Sequence, residues 1–226
     1  MSWCHAPQGH AYTPWVHVLD PTLALLLDLI GVFAFALSGA LVAVRRQLDL
    51  VGVLLLAWLA GLGGGTVRDL LLGATPPVGV SDWRLVGTAV LAGLLTFASH
   101  VALHRVRRAI RVFDAVGLAF FCVTGSLKAL TLGAGPLTAV IVGVVTAAGG
   151  GVMRDVVAGQ VPEVLRRELY VLPALLGSCL TVLLHHLGVL GSLTVWIVVA
   201  AVFALRMASI ALDWHAPYAL TTGDDL

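Results

Sequence analysis

The sequence predicts an all-α membrane protein with seven transmembrane helices, arranged as a 3+3 inverted-topology repeat plus a seventh helix. Three observations lead to this prediction: the composition is too apolar for a soluble domain, the chain contains seven long apolar runs, and a glycine-rich motif ending in an Arg-Asp pair occurs twice. The motif also carries the functional interpretation, because adjacent glycines and full charges are unexpected inside apolar helices.

Composition excludes several classes of protein. Of the 226 residues, 59% are hydrophobic and 11% are charged, and the mean hydropathy is +1.01. A soluble domain carries about 25% charged residues, so this chain lacks the polar surface that water requires. The formal net charge of +1 gives no support for a nucleic-acid partner. Three scattered cysteines predict no metal site or disulfide framework, and no catalytic motif indicates an enzyme.

Seven apolar runs are long enough to cross a bilayer as helices. A crossing helix needs about 20 mostly apolar residues, and unbroken apolar runs differ from the alternating pattern of a membrane β-barrel. The predicted helices are Leu23–Val44, Leu50–Gly73, Trp83–Leu103, Val112–Leu132, Pro136–Gly159, Glu168–Leu187 and Ser192–Leu212.

Arginines indicate the orientation of the chain. They collect in three connections on one side of the predicted bundle, called the basic side below, whereas the opposite side has Arg84 near a helix end. The positive-inside bias therefore predicts an external N-terminus and a cytoplasmic C-terminus. The arginines of the basic side are Arg45, Arg46, Arg105, Arg107, Arg108, Arg111, Arg166 and Arg167. The predicted divisions are a lead-in (1–22), a first three-helix repeat (23–103), a basic cytoplasmic loop (104–111), a second three-helix repeat (112–189), the seventh helix (190–212) and a short tail (213–226).

The motif repeats in register over a whole three-helix unit. GGGTVRDLLLG at Gly63–Gly73 returns as GGGVMRDVVAG at Gly149–Gly159, 86 residues later. Because each unit has an odd number of helices, the second copy enters the membrane from the opposite side. Inverted repeats of this kind place a permeation or binding site near the midplane, between the copies. The same offset aligns Asp28 with Asp114, Gly31 with Gly117, Phe35 with Phe121, Ser38 with Thr124, Gly39 with Gly125 and Pro76 with Pro162.

The glycine triplets allow two interpretations. Glycine permits close contact between membrane helices, or it permits a break that turns carbonyl groups toward a cavity. Two copies, each followed by Arg-Asp, favour a break near the midplane, where the hydroxyls of Ser38 and Thr124 are candidate weak ligands for ions. The glycines concerned are Gly63, Gly64, Gly65, Gly149, Gly150 and Gly151.

The charges of the two motifs predict a buried network. An Arg or Asp in the membrane costs about 2.5 to 3.5 kcal/mol on insertion scales, so these side chains are expected to face protein or water. Neighbouring residues of a helix point in different directions, so we expect partners on other segments, either the aspartates of the first and fourth helices or the other copy's pair. The alternative is a helix that has reached the headgroups, with its arginine extended toward them. The network consists of Arg68, Asp69, Arg154, Asp155, Asp28 and Asp114.

Lys128 is the only lysine of the chain and lies in the predicted fourth helix. Its aligned position in the first copy is Val42, so the repeat itself does not require a charge there. We interpret it as an unpaired ammonium that acts as a gate, charge sensor or counter-ion. The alternative is a lysine that extends to the outer membrane surface.

Duplicated GGGxxRD motifs in a 3+3 repeat with a seventh helix resemble the TRIC family of trimeric intracellular cation channels. The resemblance covers residues 23–212, and the short tail is similar to the prokaryotic branch, which implies the inner membrane of a prokaryotic cell. It implies a homotrimer in which each protomer has its own pore for monovalent cations, chiefly potassium with sodium. The two glycine motifs would bend the pore-lining helices, and Lys128 would correspond to the lysine associated with gating.

The resemblance implies no cofactor and is compatible with a bound membrane lipid. The lipid-binding KEV motif of animal members is not evident. The leading functional prediction is a passive channel in which carbonyls and hydroxyls replace part of an ion's hydration shell. The alternative is a secondary transporter of a small zwitterion such as glycine, because paired broken helices within inverted repeats are equally typical of transporters.

Overall fold

The computed structural model describes residues 20–99, 103–166 and 170–212. Most of the predicted lead-in and all of the predicted tail lie outside these residues. The described helices are α1 (Pro21–Arg45), α2 (Leu50–Leu71), α3 (Val78–Ser81), α4 (Trp83–Ala98), α5 (Leu103–Thr131), α6 (Pro136–Val157), α7 (Glu163–Arg166), α8 (Val171–His186) and α9 (Ser192–Ala211).

Five of the described helices, α1, α2, α5, α6 and α9, are long and apolar enough to cross a membrane. Two others, α4 and α8, are apolar but have 16 residues each. At 1.5 Å per residue they are shorter than the hydrocarbon layer is thick, so the count of seven crossings stays a prediction. The all-helical class is confirmed for the described part of the chain, which contains no strand.

The boundary between the third and fourth predicted helices was wrong. Helix α4 ends at Ala98 instead of Leu103, and α5 begins at Leu103 instead of Val112, so residues 104–111 are helical and do not form a loop. The basic segment continues the helix because Val106 and Ile110, four positions apart, bury the same face, while arginine is itself a good helix former.

The two repeats match closely in secondary structure. Adding 86 to the bounds of α2, Leu50–Leu71, gives those of α6, Pro136–Val157. The short helices α3 and α7 and the helices α4 and α8 correspond within two residues at their ends. Helix α9 has no counterpart and packs against α5 and α8 of the second repeat.

Reciprocal contacts show that the repeats are inverted relative to each other. Gly31 lies against the ring of Phe121, and Gly117 lies against the ring of Phe35. The position on α1 rises from 31 to 35 while the partner on α5 falls from 121 to 117, which is the pattern of antiparallel helices related by a twofold axis. The two phenylalanine rings meet between the repeats, with centroids 5.4 Å apart.

The predicted helix breaks at the glycine triplets were wrong. Helices α2 and α6 continue through both triplets. A Cβ atom on Gly64 would overlap the carbonyl of Thr146, and one on Gly150 would overlap the carbonyl of Ala60, so the helices cross in backbone contact here. The first of the two sequence interpretations therefore describes the triplets: the missing Cβ atoms permit close packing, while the helical hydrogen bonds stay intact.

Candidate functional site

The first charge cluster consists of Asp28, Arg68, Asp69 and Lys128 and joins the repeats near the end of α2. Arg68 Nε donates to Asp69 Oδ1 at 2.8 Å, and Lys128 Nζ donates to the same oxygen at 2.7 Å. The backbone N–H of Val78 donates to Asp69 Oδ2 at 2.9 Å. The carboxylate of Asp69 thus collects donors from α2, α3 and α5. Because Arg68 and Asp69 are both buried, this bonding offsets the cost of taking the charges out of water.

Two predictions about this cluster were wrong. Arg68 pairs with its own sequence neighbour, although consecutive residues leave a helix in different directions. The arginine side chain is long enough for its guanidinium to fold back to a carboxylate one residue away. Lys128 was expected to be unpaired, but it forms an ion pair with Asp69. The alternative expectation, a pairing between the Arg-Asp motifs of the two copies, such as Arg68 with Asp155, is not among the ion pairs of the described residues, in which each motif aspartate binds its own arginine.

The second charge cluster consists of Ser38, Asp114, Arg154 and Asp155. Arg154 Nε donates to Asp155 Oδ1 at 2.8 Å, and Arg154 Nη1 donates to Asp114 Oδ1 at 2.8 Å and to Ser38 Oγ. The expected link between a motif arginine and an aspartate of another helix is therefore present in this copy. Asp155 also accepts from the side chain of Gln160 at 2.9 Å. Ser38 comes from the first repeat, so this cluster also bridges the two copies.

The aspartates of α1 and α5 differ between the copies. Asp28 forms no ion pair with the described residues, and its Oδ1 is buried without a hydrogen-bond partner among them. The hydroxyl of Thr124, equivalent to Ser38, is likewise buried without a partner in the described chain. The repeat therefore places equivalent residues at both ends, but among the described residues only the second copy pairs its motif arginine with the aspartate of another helix.

A cavity of about 340 Å³ opens beside the second cluster. It lies on the basic side, and its lining combines four arginines with two carboxylates, so it is strongly polar. The lining residues are Val42, Arg45, Arg107, Ile110, Arg111, Arg154, Asp155, Gln160, Val161 and Glu163. Beside the first cluster there is a pocket of about 10 Å³, lined by Asp28, Val32, Gly61, Leu62, Gly65, Arg68, Val78, Leu85 and Phe121.

The two recesses do not meet. Along α1, Val32 lines the small pocket and Val42 lines the large cavity. Between them, Phe35 and Ser38 are buried. Ten residues of helix correspond to about 15 Å, so packed side chains separate the two recesses, which approach each other from opposite ends of the repeats.

Comparison with known proteins agrees with this architecture. The family model described as "Glycine transporter" matches residues 25–100 and again residues 111–186, which reproduces the 86-residue offset. The crystal structure of a trimeric intracellular cation channel orthologue from Rhodobacter sphaeroides is 41% identical and superposes with a TM-score of 0.81. It covers 85% of this chain and 100% of its own. The chain belongs to the TRIC family.

Two further relatives extend the comparison. A solved structure described in connection with conductance through TRIC cation channels is 35% identical, with a TM-score of 0.80, over 88% of this chain and 98% of its own. A UPF0126 membrane protein of Deinococcus radiodurans is 47% identical over 67% of this chain and 72% of its own length. The TRIC fold thus accounts for both repeats.

Three polar residues of this TRIC protein were missed by the sequence analysis: Glu163, Tyr170 and Arg206. Arg206 lies in α9 and is 2% exposed. Its Nη2 lies 3.6 Å from Glu163 Oε2, and its Cζ lies 4.5 Å from the centre of the Tyr170 ring. The run VFALRMASI contained the signal, because an arginine inside an apolar span needs a buried partner for the same reason as Arg68.

Glu163 belongs to the short helix α7, outside the membrane-spanning helices. Its backbone N–H donates to Asp155 Oδ2 at 3.0 Å. Burial raises the pKa of its carboxyl, and the charge of Asp114 acts in the same direction, whereas Arg154 and Arg206 lower this pKa. The negative charge of Glu163 therefore depends on its arginine neighbours. Among the described residues, no group of three or more His, Cys, Asp or Glu side chains could hold a metal ion.

Proposed function

We propose that this TRIC protein is a membrane channel for monovalent cations, potassium and also sodium, with one polar route between the two repeats of each protomer. The observation that carries the proposal is the 41% identical cation channel orthologue, whose fold spans both repeats of this chain. The cavity on the basic side supports the proposal, because it leads from outside the bundle to the buried Arg154.

The charge of this route fits a channel of modest selectivity. Arg45, Arg107 and Arg111 at the cavity repel cations, whereas Asp155 and Glu163 attract them. Weak, mixed ligands allow an ion to enter and leave without tight binding. The packed region around Phe35 supports the interpretation that this conformation is closed, so that opening requires the repeats to move apart there.

Trimer formation and orientation are parts of the same proposal. The homotrimer is supported by the trimeric description of the Rhodobacter sphaeroides orthologue. An external N-terminus and a cytoplasmic basic side are supported by the arginine bias, which would make the large cavity the cytoplasmic vestibule. The proposed location is the inner membrane of a prokaryotic cell, with lipids as the other partners.

A secondary transporter of glycine is the second candidate. The description of the matching family model favours it, and so does the cavity, where arginines and carboxylates could hold the two ends of a zwitterion. A volume of about 340 Å³ exceeds that of such a ligand. A transporter would alternate access to the cavity instead of opening both ends at once.

Single-channel recording in planar bilayers tests the two candidates. A channel gives discrete currents in symmetric potassium with no glycine present. Silent bilayers together with saturable uptake of labelled glycine into proteoliposomes would overturn the channel in favour of the carrier.

Modification of a cysteine introduced in the cavity tests whether the current passes through this cavity. Val161 lines the cavity and is exposed, so Val161→Cys modified with a bulky thiol reagent should block the current. Val157 is similarly exposed but does not line the cavity, which makes Val157→Cys the matched control. Cys4 and Cys179 are first replaced by serine, whereas Cys122 is buried and can remain. Equal block of both variants would exclude the cavity from the route.

A further inference from the structure

Helix α9 lies outside the repeat, yet it contributes a charge at the second cluster. Arg206 is buried between α7 and the start of α8, in contact with Glu163 and Tyr170. The separation of 3.6 Å from Glu163 is longer than a hydrogen bond, so this contact is a charge interaction. The guanidinium over the tyrosine ring adds a cation-π contact.

Both neighbours of Arg206 connect it to the Arg-Asp pair of the second repeat. Glu163 binds Asp155 through its backbone N–H and lines the large cavity with its side chain. The Tyr170 hydroxyl reaches the space left by Gly151, because a Cβ there would lie 2.8 Å from that hydroxyl and 3.4 Å from Asp114 Oδ1. One residue of α9 therefore fixes two elements that adjoin the second cluster.

The repeat does not impose this arrangement. Under the 86-residue offset, the first copy has Pro77 in place of Glu163 and Arg84 in place of Tyr170. Arg84 is half exposed and pairs with Asp82, which caps its own helix. The basic-side end of the second repeat thus has a contact with a helix outside the repeat, and the first repeat has no equivalent of this contact among the described residues.

We propose that Arg206 is a positioning residue that holds the basic-side end of the polar route closed through Glu163 and Tyr170. The inference rests on the proposed channel function and adds a role for the seventh helix in its regulation. Loss of the guanidinium removes one of the two arginine charges that offset the partly buried carboxylate of Glu163, which destabilises this conformation relative to one in which the carboxylate is fully in water. The population then shifts toward the open state.

Recordings of Arg206→Gln test the proposal. We expect its open probability to rise about tenfold, with unchanged conductance of the open channel and unchanged reversal potential, because Arg206 does not line the cavity. Arg206→Lys retains the charge and should restore most of the closed population. The matched control is Ser209→Ala, a buried polar position on the same helix. Equal open probability in Arg206→Gln and Ser209→Ala would overturn the proposal.

A double-mutant cycle identifies the partner. Glu163→Gln should raise the open probability by itself, and adding Arg206→Gln should raise it little further, because both changes remove the same contact. Additive effects would contradict the assignment. If Arg206→Gln does not fold, Glu163→Gln and Arg206→Lys still test the contact, and wild-type open probability in Glu163→Gln would refute it.

A labelling experiment separates this proposal from the proposed function. Val42 is 4% exposed and lines the cavity, so Val42→Cys in the background lacking Cys4 and Cys179 reports on opening of the basic side. Its reaction with a small charged thiol reagent should be several times faster when combined with Arg206→Gln than when combined with Ser209→Ala. Faster labelling in a protein that carries no current would support the positioning role and reject the channel. Equal labelling rates would reject the positioning role, whatever the currents are.

Discussion

Arg154 Nη1 donates to Asp114 Oδ1 at 2.8 Å, joining the end of α6 to α5. Among the ion pairs of the described chain, the equivalent arginine of the first repeat, Arg68, pairs with Asp69 and not with Asp28. Two copies of one sequence pattern have therefore reached different electrostatic arrangements. A substitution in one repeat can therefore be compared with the equivalent substitution in the other repeat as its control.

Removing the aspartate should cost more stability in the second repeat. Asp114→Asn leaves Arg154 buried with part of its charge uncompensated, and breaking a buried ion pair costs about 3 to 5 kcal/mol. Asp28→Asn removes no ion pair, so its effect should be much smaller. Apparent melting temperatures in detergent, measured at one heating rate, compare the two variants. An equal loss in both would contradict the asymmetry described above.

Close contact of the glycine triplets predicts a steric penalty. Gly64→Ala places a methyl group against the carbonyl of Thr146 and should destabilise the protein by about 1 to 3 kcal/mol. Gly87 is also helical but would meet nothing within 4 Å, so Gly87→Ala should be neutral or stabilising by up to about 1 kcal/mol. Thermal unfolding distinguishes them, and a harmless Gly64→Ala would argue against backbone contact at this crossing.

The ion pair between Lys128 and Asp69 predicts an effect on gating. Lys128→Gln removes a charge that lies inside a membrane-spanning helix, so the open probability should depend less steeply on voltage. Lys128→Arg keeps the charge and should keep the voltage dependence. Arg84→Gln removes an exposed ion pair and serves as the control. Recordings over a range of voltages that show identical curves for all variants would exclude Lys128 from voltage sensing.

The equivalence of the two copies could be predicted from the sequence, because the 86-residue offset between them does not depend on side-chain conformation. The contact of Arg154 with Asp114 was among the predicted ones, but those of Asp69 with Arg68 and Lys128 were not. Arg68 binds Asp69 instead of a distant aspartate because a flexible side chain can fold back on its neighbour. The triplets remain helical because tertiary packing outweighs the low helix propensity of glycine. Neither outcome is encoded in residue spacing.

Arg206 illustrates a different limitation. Its burial follows from the same cost argument as that of Arg68, so the residue could have been identified from its apolar surroundings. Its partners could not, because Glu163 and Tyr170 lie about 40 residues away in elements that the repeat does not align with α9. The offset that predicts contacts between the copies gives no information on the helix outside them. Only the packing of α9 against the second repeat reveals the contact.

The ring pair at the centre of the repeats predicts where the closed route is blocked. Phe121 contacts Phe35 and lines the small pocket, whereas its neighbour Phe120 faces Trp196 of α9, with ring centroids 5.9 Å apart. Phe120→Ala and Phe121→Ala should each lower the free energy of unfolding by about 3 to 5 kcal/mol, so the two variants lose a similar amount of packing. Only Phe121→Ala removes material between the two recesses, and we expect it alone to raise the leak current of reconstituted protein. Equal leak in both variants would mean that loosened packing, and not this ring pair, controls passage.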